Sequence, residues 1–316
     1  MVFKQKYQLK RYSQSWKKLQ KNSRKRIGII MKKEPSISVI MRSKNDGLVI
    51  HDTLTMLFKQ TIKNFELINI DSGSTDATVN IIKTFPGTLH QINPEEYVPG
   101  KVLNNMVSIA KGDLIVLLNS DATPIDEQWL ENLIKQLDAP DVCIAFSRQV
   151  ARVDAYKLVR FDYQRAYPET DQTRMPSDFI SFAAAAFNKS VWEKYKFYEE
   201  GLSEDTAWAN QLINLGYKTR YVHNSQVFHS HNLNIKALYR KEFYQSGVAR
   251  VYIYNETPHL LKEFYWLAKD IARDMIFCLK HGHILSIFYS FVFRGTQHLA
   301  FYQGRKEGRR KFKKDR

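Results

Sequence analysis

The stretch AKGDLIVLLNSDATP, residues 110–124, decides the fold class of this chain. Its centre, residues 114–118, is purely aliphatic and is bounded by Asp113 and Asn119. An aliphatic run of this length between polar residues is typical of a strand that is buried on both faces of a parallel sheet. The polar residues after it would then lie at the carboxyl end of the strand, where open α/β sheets bind their ligands.

Outward from this strand, the first 140 residues alternate short apolar runs with amphipathic segments. We predict strands at residues 37–41, 65–70, 89–92 and 114–118, and helices after them at residues 48–60, 77–84, 101–111 and 126–137. The third helix is expected to close at Gly112, a residue type suited to the left-handed end of a helix. Four such β–α units predict an α/β fold with helical crossovers.

Beyond residue 140 the pattern is first mixed and then helical. We predict strands at 142–150, 180–187 and 217–223, a helix at 203–215 that stops at Gly216, and helices from residue 232 onward. The chain is thereby divided into a basic N-terminal segment (1–34), an α/β domain (35–231), a C-terminal helical region (232–304) and a basic tail (305–316).

Positive charge is concentrated in the two terminal segments. The formal net charge is +16, yet residues 1–33 hold twelve lysines and arginines without an acid, and residues 305–316 hold eight with two acids. The residues between them are nearly neutral. Basic terminal segments suit an anionic phospholipid surface and suit nucleic acid equally, so charge alone does not decide the partner.

Composition excludes several classes of protein. A chain of 316 residues, 44% of them hydrophobic, can bury a sizeable core and lies outside the range of disordered sequences. The two distant cysteines, Cys143 and Cys278, provide neither a disulfide framework nor a cysteine-rich zinc site. The sequence contains neither a recognisable secretory signal nor an apolar run long enough to span a membrane. We therefore expect a cytoplasmic protein.

Four polar clusters are candidates for chemistry: DSGSTD at 71–76, NSDA at 119–122, SEDT at 203–206 and HSH at 229–231. Each also has a structural interpretation. Ser203 is a good helix N-cap, acids are favourable in a first helical turn, and paired histidines are more often structural than metal-binding. A carboxylate at the end of a buried strand, such as Asp121, is suited to a divalent cation that bridges phosphates.

Taken in order, these clusters resemble a known enzyme family. The matching segments are SVIMRSKND (38–46), IDSGSTDAT (70–78), GKVLNN (100–105), AKGDLIVLLNSDATP (110–124), SRQVARVDA (147–155), SED (203–205) and HSH (229–231). They resemble the inverting nucleotide-sugar glycosyltransferases of family 2, most closely the bacterial rhamnosyltransferase-like members. The resemblance implies the GT-A fold, a Rossmann-like open mixed sheet flanked by helices, here with an appended C-terminal helical region.

The resemblance also implies residues that bind the nucleotide-sugar donor. It places Arg42 and Asp71 at the base and the ribose, with Lys101 and Asn104 nearby. Asp121 matches the last acid of the family's Asp-x-Asp element, which holds a divalent metal on the diphosphate.

For the metal, the resemblance implies Mg²⁺ or Mn²⁺ held by Asp121 and His231, with His229 the less favoured histidine. Asn119 departs from the pattern, because many relatives have the first Asp of the Asp-x-Asp element there, and metal dependence is therefore an open question. Asp205 matches the catalytic base. A carboxylate close to a sugar hydroxyl can remove its proton as the C–O bond forms.

These roles predict a glycosyltransferase, specifically a hexosyltransferase of the rhamnosyltransferase type. It would transfer a sugar from a dTDP- or UDP-sugar to a hydroxyl of a glycolipid or polysaccharide acceptor. Two alternatives stay open. One is nucleotidyl transfer onto a sugar phosphate, although RSKNDG at 42–47 holds a single glycine; the other is a non-enzymatic nucleic-acid-binding protein, although the sequence shows no such signature.

The C-terminal region indicates where this reaction takes place. Apolar and aromatic residues recur through 260–277 beside lysines and arginines, and the run ILSIFYSFVF at 284–293 is too short to span a membrane. Such a face suits an interfacial contact with an anionic membrane. It suits equally well packing on the α/β domain or on a second subunit of a homo-oligomer. We expect peripheral attachment at the inner face of the cell membrane.

Overall fold

The computed structural model describes residues 36–170, 180–199 and 203–312. The basic segment predicted at 1–34 and residues 313–316 of the predicted basic tail lie outside the described residues.

A mixed eight-stranded sheet organises the described part of the chain. Its strands are β1 (Ile37–Ser43), β2 (Phe65–Asp71), β3 (Thr88–Gln91), β4 (Leu114–Asn119), β5 (Thr123–Pro124), β6 (Val142–Val150), β7 (Ala184–Asn188) and β8 (Lys218–Phe228). In space they are ordered β3-β2-β1-β4-β7-β6-β8-β5. The first four in that order are parallel, β7 is antiparallel to both of its neighbours, β6 and β8 are parallel, and β5 is antiparallel to β8.

Helices cover both faces of this sheet and then form a separate C-terminal group. They are α1 (Ile50–Lys59), α2 (Thr78–Ile82), α3 (Pro99–Ile109), α4 (Trp129–Ile134), α5 (Lys157–Ala166), α6 (Lys189–Lys194), α7 (Glu204–Asn214), α8 (Ile235–Glu242), α9 (Ala249–Tyr254), α10 (Leu260–Lys280) and α11 (Ile284–Phe312). Two short 3₁₀ helices, Pro94–Glu96 and Lys135–Asp138, complete the α/β part. The predicted open mixed sheet flanked by helices, with a C-terminal helical region, is confirmed.

Alternate residues of β4 belong to two different hydrophobic cores. Ile115 and Leu117 pack with α3 and α7 on one face of the sheet, around the fully buried Trp208. Val116 and Leu118 pack with α1 and α4 on the other face. The two cores together need apolar residues at every position from Leu114 to Leu118, which explains why this part of β4 is continuously aliphatic rather than alternating.

Two glycines predicted to end helices behave differently. Gly216 follows α7 with a φ of +92°, as predicted for a left-handed helix end. The prediction for Gly112 is wrong, because α3 ends at Ile109 and Gly112 does not have a positive φ. Gly112 is required for another reason. A Cβ at this position would overlap the backbone nitrogen of Ser38, so only glycine allows this close approach.

The C-terminal helices are attached to the α/β part through α5. The ring of Phe161 stacks on that of Phe277 from α10, with centroids 3.9 Å apart. Arg294 of α11 donates to both carboxylate oxygens of Asp162 at 2.7 and 2.8 Å, and its Nε donates to Asp274 at 2.7 Å. The attachment therefore combines aromatic packing with a buried, fully bonded arginine.

Helix α11 continues through residue 304, where the sequence places the start of the basic tail. Arg305 forms ion pairs with Glu256, at 2.7 Å, and with Glu263. The guanidinium of Arg309 donates to the backbone carbonyl of Glu256 at 2.8 Å. These two cations hold α11 to the loop before α10, so residues 305–312 are an integral part of the helical region.

None of the helices in the described ranges combines the length and the hydropathy that a membrane span requires.

A π-helix, Phe243–Val248, joins α8 to α9 and lies against α11. The closest approach is at Gly304, where a Cβ would overlap the carbonyl oxygen of Phe243 and lie 2.8 Å from the Cα of Gly247. Backbones approach this closely only when neither residue carries a side chain.

Replacing Gly304 with alanine should lower the free energy of unfolding by about 1–3 kcal/mol, the usual range for an overpacked site. Urea denaturation followed by circular dichroism measures this change. Gly295→Ala is the matched control in the same helix, because a Cβ there meets nothing within 4 Å. The control should be neutral, or stabilising by up to about 1 kcal/mol. Equal stability of the two variants would contradict the proposed packing.

Candidate active site

A cavity of about 790 Å³ opens at the carboxyl ends of β1 and β4. Its walls come from the loops after these two strands, the first turn of α7, the segment after β8, and the helices α8 and α9. The position agrees with the rule that open α/β sheets bind ligands at the carboxyl ends of their strands. The C-terminal helical region therefore forms part of the cavity wall.

Arg42, near the end of β1, connects two walls of this cavity. Its Nη1 donates to Glu204 Oε1 at 2.7 Å, and its Nη2 and Nε donate to Asn119 Oδ1 at 3.1 and 3.3 Å. Asn119 is the residue that departs from the Asp-x-Asp pattern. Its side-chain oxygen here accepts hydrogen bonds from the guanidinium of Arg42. This link holds the end of β4 and the start of α7 at fixed positions around the cavity.

Asp121, His229 and His231 form an acid and imidazole cluster on the cavity wall. The Nε2 atoms of His229 and His231 lie 3.6 and 3.5 Å from Asp121 Oδ2, and one ligand atom from each residue lies within 4.8 Å of the others. Arg152 fixes this arrangement, because its Nη2 donates to the Asp121 carbonyl at 2.6 Å. Three potential ligands at this spacing can hold one divalent cation.

The protonation state of His229 suits metal binding. Its Nδ1 lies 2.7 Å from Gln149 Oε1, a pure acceptor, so the ring proton is on Nδ1 and the lone pair is on Nε2. This Nε2 is buried and has no hydrogen-bond partner within the described ranges. Burial, followed by the charges of His231, Lys241 and Arg152, lowers the pKa of His229 to about 3. A neutral imidazole oriented by a second polar group is the usual form of a metal-binding histidine.

Asp205 enters the same cavity from the first turn of α7. Its Oδ1 accepts a hydrogen bond from the Thr206 amide at 2.7 Å. Burial, and then the charge of Glu204, raise the pKa of Asp205 to about 6. This value suits a general base, because the carboxylate is ionised at neutral pH and is still basic enough to accept a proton.

Ser203, at the start of α7, does not cap the helix with its side chain. Its φ is +64°, and its side chain makes no capping hydrogen bond. The N-cap interpretation of Ser203 is therefore wrong. A left-handed residue other than glycine costs about 1–3 kcal/mol, and such residues cluster at functional sites.

Four of the predicted site residues, Arg42, Asp121, Asp205 and His231, line the cavity together. Asp71 is fully buried behind it and accepts hydrogen bonds from the hydroxyl of Ser43 and from the amide and hydroxyl of Ser74. In this structure Asp71 shapes the loop after β2, and it does not line the cavity.

The two predicted residues on α3 also lie away from the cavity wall. Asn104 is buried, accepts from Trp192 Nε1 at 2.9 Å and from the Phe197 amide at 3.1 Å, and donates to the Phe197 carbonyl at 3.0 Å. Lys101 is exposed. Their nucleotide-binding roles stay predictions, while the hydrogen bonds of Asn104 show that it joins α3 to the segment after α6.

Sequence reasoning missed or undervalued several residues of the cavity. His229 belongs to the acid and imidazole cluster, and the HSH spacing already indicated that both imidazoles share one side of an extended segment. Asp46 accepts from the Ser120 hydroxyl and so joins the loops after β1 and β4. Lys241 and Glu242 come from α8, where the sequence contains no recognisable motif.

The mixed open sheet, the cavity at the carboxyl ends of its parallel strands, and the acid and imidazole cluster together define a GT-A type of nucleotide-sugar-dependent glycosyltransferase. Residues 38–196, half of the chain, match the family described as Glycosyl transferase family 2. The chain belongs to this family and is a glycosyltransferase. Family membership decides against the nucleotidyltransferase and nucleic-acid-binding alternatives.

Relatives of the chain include bacterial O-antigen enzymes. The O-antigen chain rhamnosyltransferase WbaN of Salmonella anatum is 29% identical over 227 residues, which cover 68% of this chain and 72% of WbaN. RfbN of Salmonella typhimurium, described in the same words, is 28% identical over 227 residues, covering 67% and 71%. Among solved structures, the mannosyltransferase PcManGT from Pyrobaculum calidifontis, in complex with GDP-Man and Mn²⁺, has a TM-score of 0.62 at 18% identity and 87% coverage of both chains. This last similarity shows the fold.

The cluster predicts that the protein binds Mn²⁺ and that Gln149 supports this binding indirectly. Gln149→Leu would leave Nδ1 of His229 without its acceptor and should weaken Mn²⁺ binding about 10- to 100-fold, as measured by isothermal titration calorimetry. His231→Ala, which removes a ligand, should also weaken it. His223→Ala is the control, because His223 is on β8 outside the cluster. Unchanged Mn²⁺ affinity in the first two variants would show that the cluster is not a metal site.

Proposed function

We propose that this glycosyltransferase transfers rhamnose or a similar hexose, with inversion, from a nucleoside diphosphate sugar to a hydroxyl of a lipid-linked or polysaccharide acceptor. The observation that carries the proposal is that Asp205 and the cluster of Asp121, His229 and His231 line one cavity. The rhamnosyltransferase names of the Salmonella relatives support the choice of sugar. They also support an acceptor on the route to a surface polysaccharide.

Asp121, His229 and His231 would hold the divalent cation, Mg²⁺ or Mn²⁺, against the donor diphosphate. The carboxylate and the two imidazole nitrogens fit such an ion, because His229 offers an unprotonated Nε2 that no other described residue uses. When bound, the cation offsets negative charge on the departing nucleoside diphosphate. Arg42 would stay in its ion pair with Glu204. Because Arg42 also lines the cavity, it would help to orient the bound donor.

Asp205 would act as the general base. A sugar hydroxyl is a poor nucleophile, and it attacks well only if its proton is removed while the new C–O bond forms. The raised pKa of Asp205, caused first by burial and then by Glu204, improves its basicity while it stays ionised at neutral pH. A one-step displacement with a single base inverts the anomeric centre.

Asp205→Asn should lower the turnover of dTDP-rhamnose by roughly 10²-fold or more, the scale for losing a positioned general base, with little effect on donor affinity. Release of dTDP in the presence of an acceptor lipid extract measures turnover. Wild-type turnover should fall as the pH drops through about 6, because protonation of Asp205 removes the base.

Asp52→Asn provides the control for this substitution, since Asp52 is an exposed acid of α1 outside the cavity. Its turnover should match that of the wild type. Retained turnover in Asp205→Asn, with only a loss of thermal stability, would show that Asp205 is structural. Failure of dTDP-, UDP- and GDP-sugars alike to serve as donors would refute the proposed function.

We further propose that the protein works at the inner face of the cell membrane, attached peripherally to anionic lipid. The hairpin of α10 and α11 has an inverted distribution of polarity. Its inner side holds the buried Asp274, Arg294 and His298, which bond to one another or to neighbouring charges. Its outer side exposes large apolar residues: Leu261, Tyr265, Ile276, Leu279, Leu285 and Phe288 are each more than 60% exposed.

Cations accompany this apolar outer side. Lys262, Lys269 and Lys280 of α10 are all exposed, and Lys269 lies 4.7 Å from the ring centroid of Trp266. Apolar insertion and attraction to anionic headgroups strengthen each other at a membrane surface. A group of exposed large apolar side chains on one side of a hairpin is typical of a surface that binds a partner. The neighbouring lysines favour an anionic bilayer as this partner over a second apolar protein surface.

The double variant Leu285→Ser, Phe288→Ser should reduce binding to phosphatidylglycerol vesicles by roughly 100-fold or more, because each of the two large apolar side chains contributes about 1.5–3 kcal/mol when it is fully buried. Sedimentation of the full chain with vesicles measures binding, and 1 M NaCl should weaken it further. Val153→Ser is the control, because Val153 is 88% exposed in the loop before α5. If the protein forms a concentration-dependent dimer and does not sediment with vesicles, a second subunit covers this side instead.

A further inference from the structure

Lys241 is a cation of the cavity wall for which the proposed mechanism gives no role. It is the penultimate residue of α8 and lines the cavity. Within the ranges that the structure describes, its ammonium group makes neither a hydrogen bond nor an ion pair. A lysine that faces a ligand cavity without a partner is available to bind an anion.

The position of Lys241 is fixed by the segment that also carries the acid and imidazole cluster. Helix α8 begins four residues after His231, and the side chain of its N-cap residue, Asn234, accepts from the Ala237 amide at 2.9 Å. Leu238 of the same helix is buried between α5 and the C-terminal hairpin. The charge of Lys241 reaches His229, since it contributes to the low pKa of that imidazole. Lys241 and the cluster line the same cavity.

The other cations of the cavity wall already have partners. Arg42 is paired with Glu204 at 2.7 Å, Arg250 is paired with Glu256 at 2.6 Å, and Lys44 donates to the Ser72 carbonyl at 3.1 Å. The same wall carries five carboxylates, those of Asp46, Asp121, Glu204, Asp205 and Glu242. A diphosphate that enters this acidic cavity needs positive charge from the protein as well as from a bound cation.

We propose that Lys241 binds the donor diphosphate and holds the leaving nucleoside diphosphate; this inference rests on the proposed function. During transfer, the bond between the anomeric carbon and the β-phosphate oxygen breaks, and its electron pair stays on that oxygen. The acceptor oxygen bonds to the anomeric carbon, and the acceptor proton goes to Asp205. Charge that develops on the β-phosphate is stabilised by the ammonium group of Lys241, because hydrogen bonds between ionised partners are the strong ones.

The experiment measures the binding of inorganic pyrophosphate and of dTDP, UDP and GDP by isothermal titration calorimetry, using the full chain with Mn²⁺ and again in EDTA. Lys241→Gln should weaken pyrophosphate, and whichever nucleotides bind, about tenfold, in line with loss of one charge-assisted hydrogen bond. Lys241→Arg should keep most of the affinity. Lys236→Gln is the matched control, because Lys236 is exposed on the same helix and does not line the cavity.

Pyrophosphate and nucleotide affinities in Lys241→Gln that equal those of the wild type would overturn the inference. A loss for pyrophosphate alone would overturn it too, because the lysine would then serve a different phosphate, such as one on the acceptor. Failure of the proposed function gives a different result, because the wild type would then turn over no nucleoside diphosphate sugar. The pyrophosphate affinity of Lys241→Gln would still show whether the lysine binds a diphosphate.

Discussion

Burial of β4 on both faces is the constraint on which the rest of the structure depends. Every side chain from Leu114 to Leu118 is packed in one of two cores, so these five positions require apolar side chains. The first polar residues come at the last position of the strand and directly after it, as Asn119, Ser120 and Asp121. The same constraint that makes the strand stable therefore gathers hydrogen-bonding and ligand groups at one edge of the sheet.

Arg42 converts this edge into an organised site. Its guanidinium lies between the oxygen of Asn119 and the carboxylate of Glu204, and it thereby joins the central strands to α7, which is distant in sequence. Glu204 in turn stands beside Asp205 and contributes to its raised pKa. A second carboxylate at position 119 would compete with Glu204 for the same arginine. The amide of Asn119 accepts from Arg42 without adding another negative charge next to Asp121.

The sequence predicted the elements whose signals are local. Buried strands and the residues at their ends, including Asp121, follow from continuous apolar runs, and Asp205 follows from motif order. Asn104 could not be assigned this way, because its bonds to Trp192 and Phe197 join residues about 90 positions apart. The role of Gly112 could not be assigned from sequence either. A left-handed helix end and a close backbone approach both require glycine, and the structure shows that Gly112 serves the close approach to Ser38. The family resemblance indicated Asn104 and a local pattern indicated Gly112, but only the tertiary structure shows what each residue contacts.

The C-terminal hairpin shows why an amphipathic pattern does not reveal which side faces inward. Arg294 bonds to Asp162 and Asp274 through charge-assisted pairs, so its charge is satisfied inside the protein, and removing one partner of such a pair commonly costs about 3–5 kcal/mol. Because the charged side is turned inward, the apolar side faces outward. Asp162 lies on α5 next to Tyr163, which lines the cavity. The ionic contact that orients the hairpin is therefore made by the same helix that forms part of the cavity wall. Any surface that covers the apolar side is consequently held at a fixed position relative to this cavity.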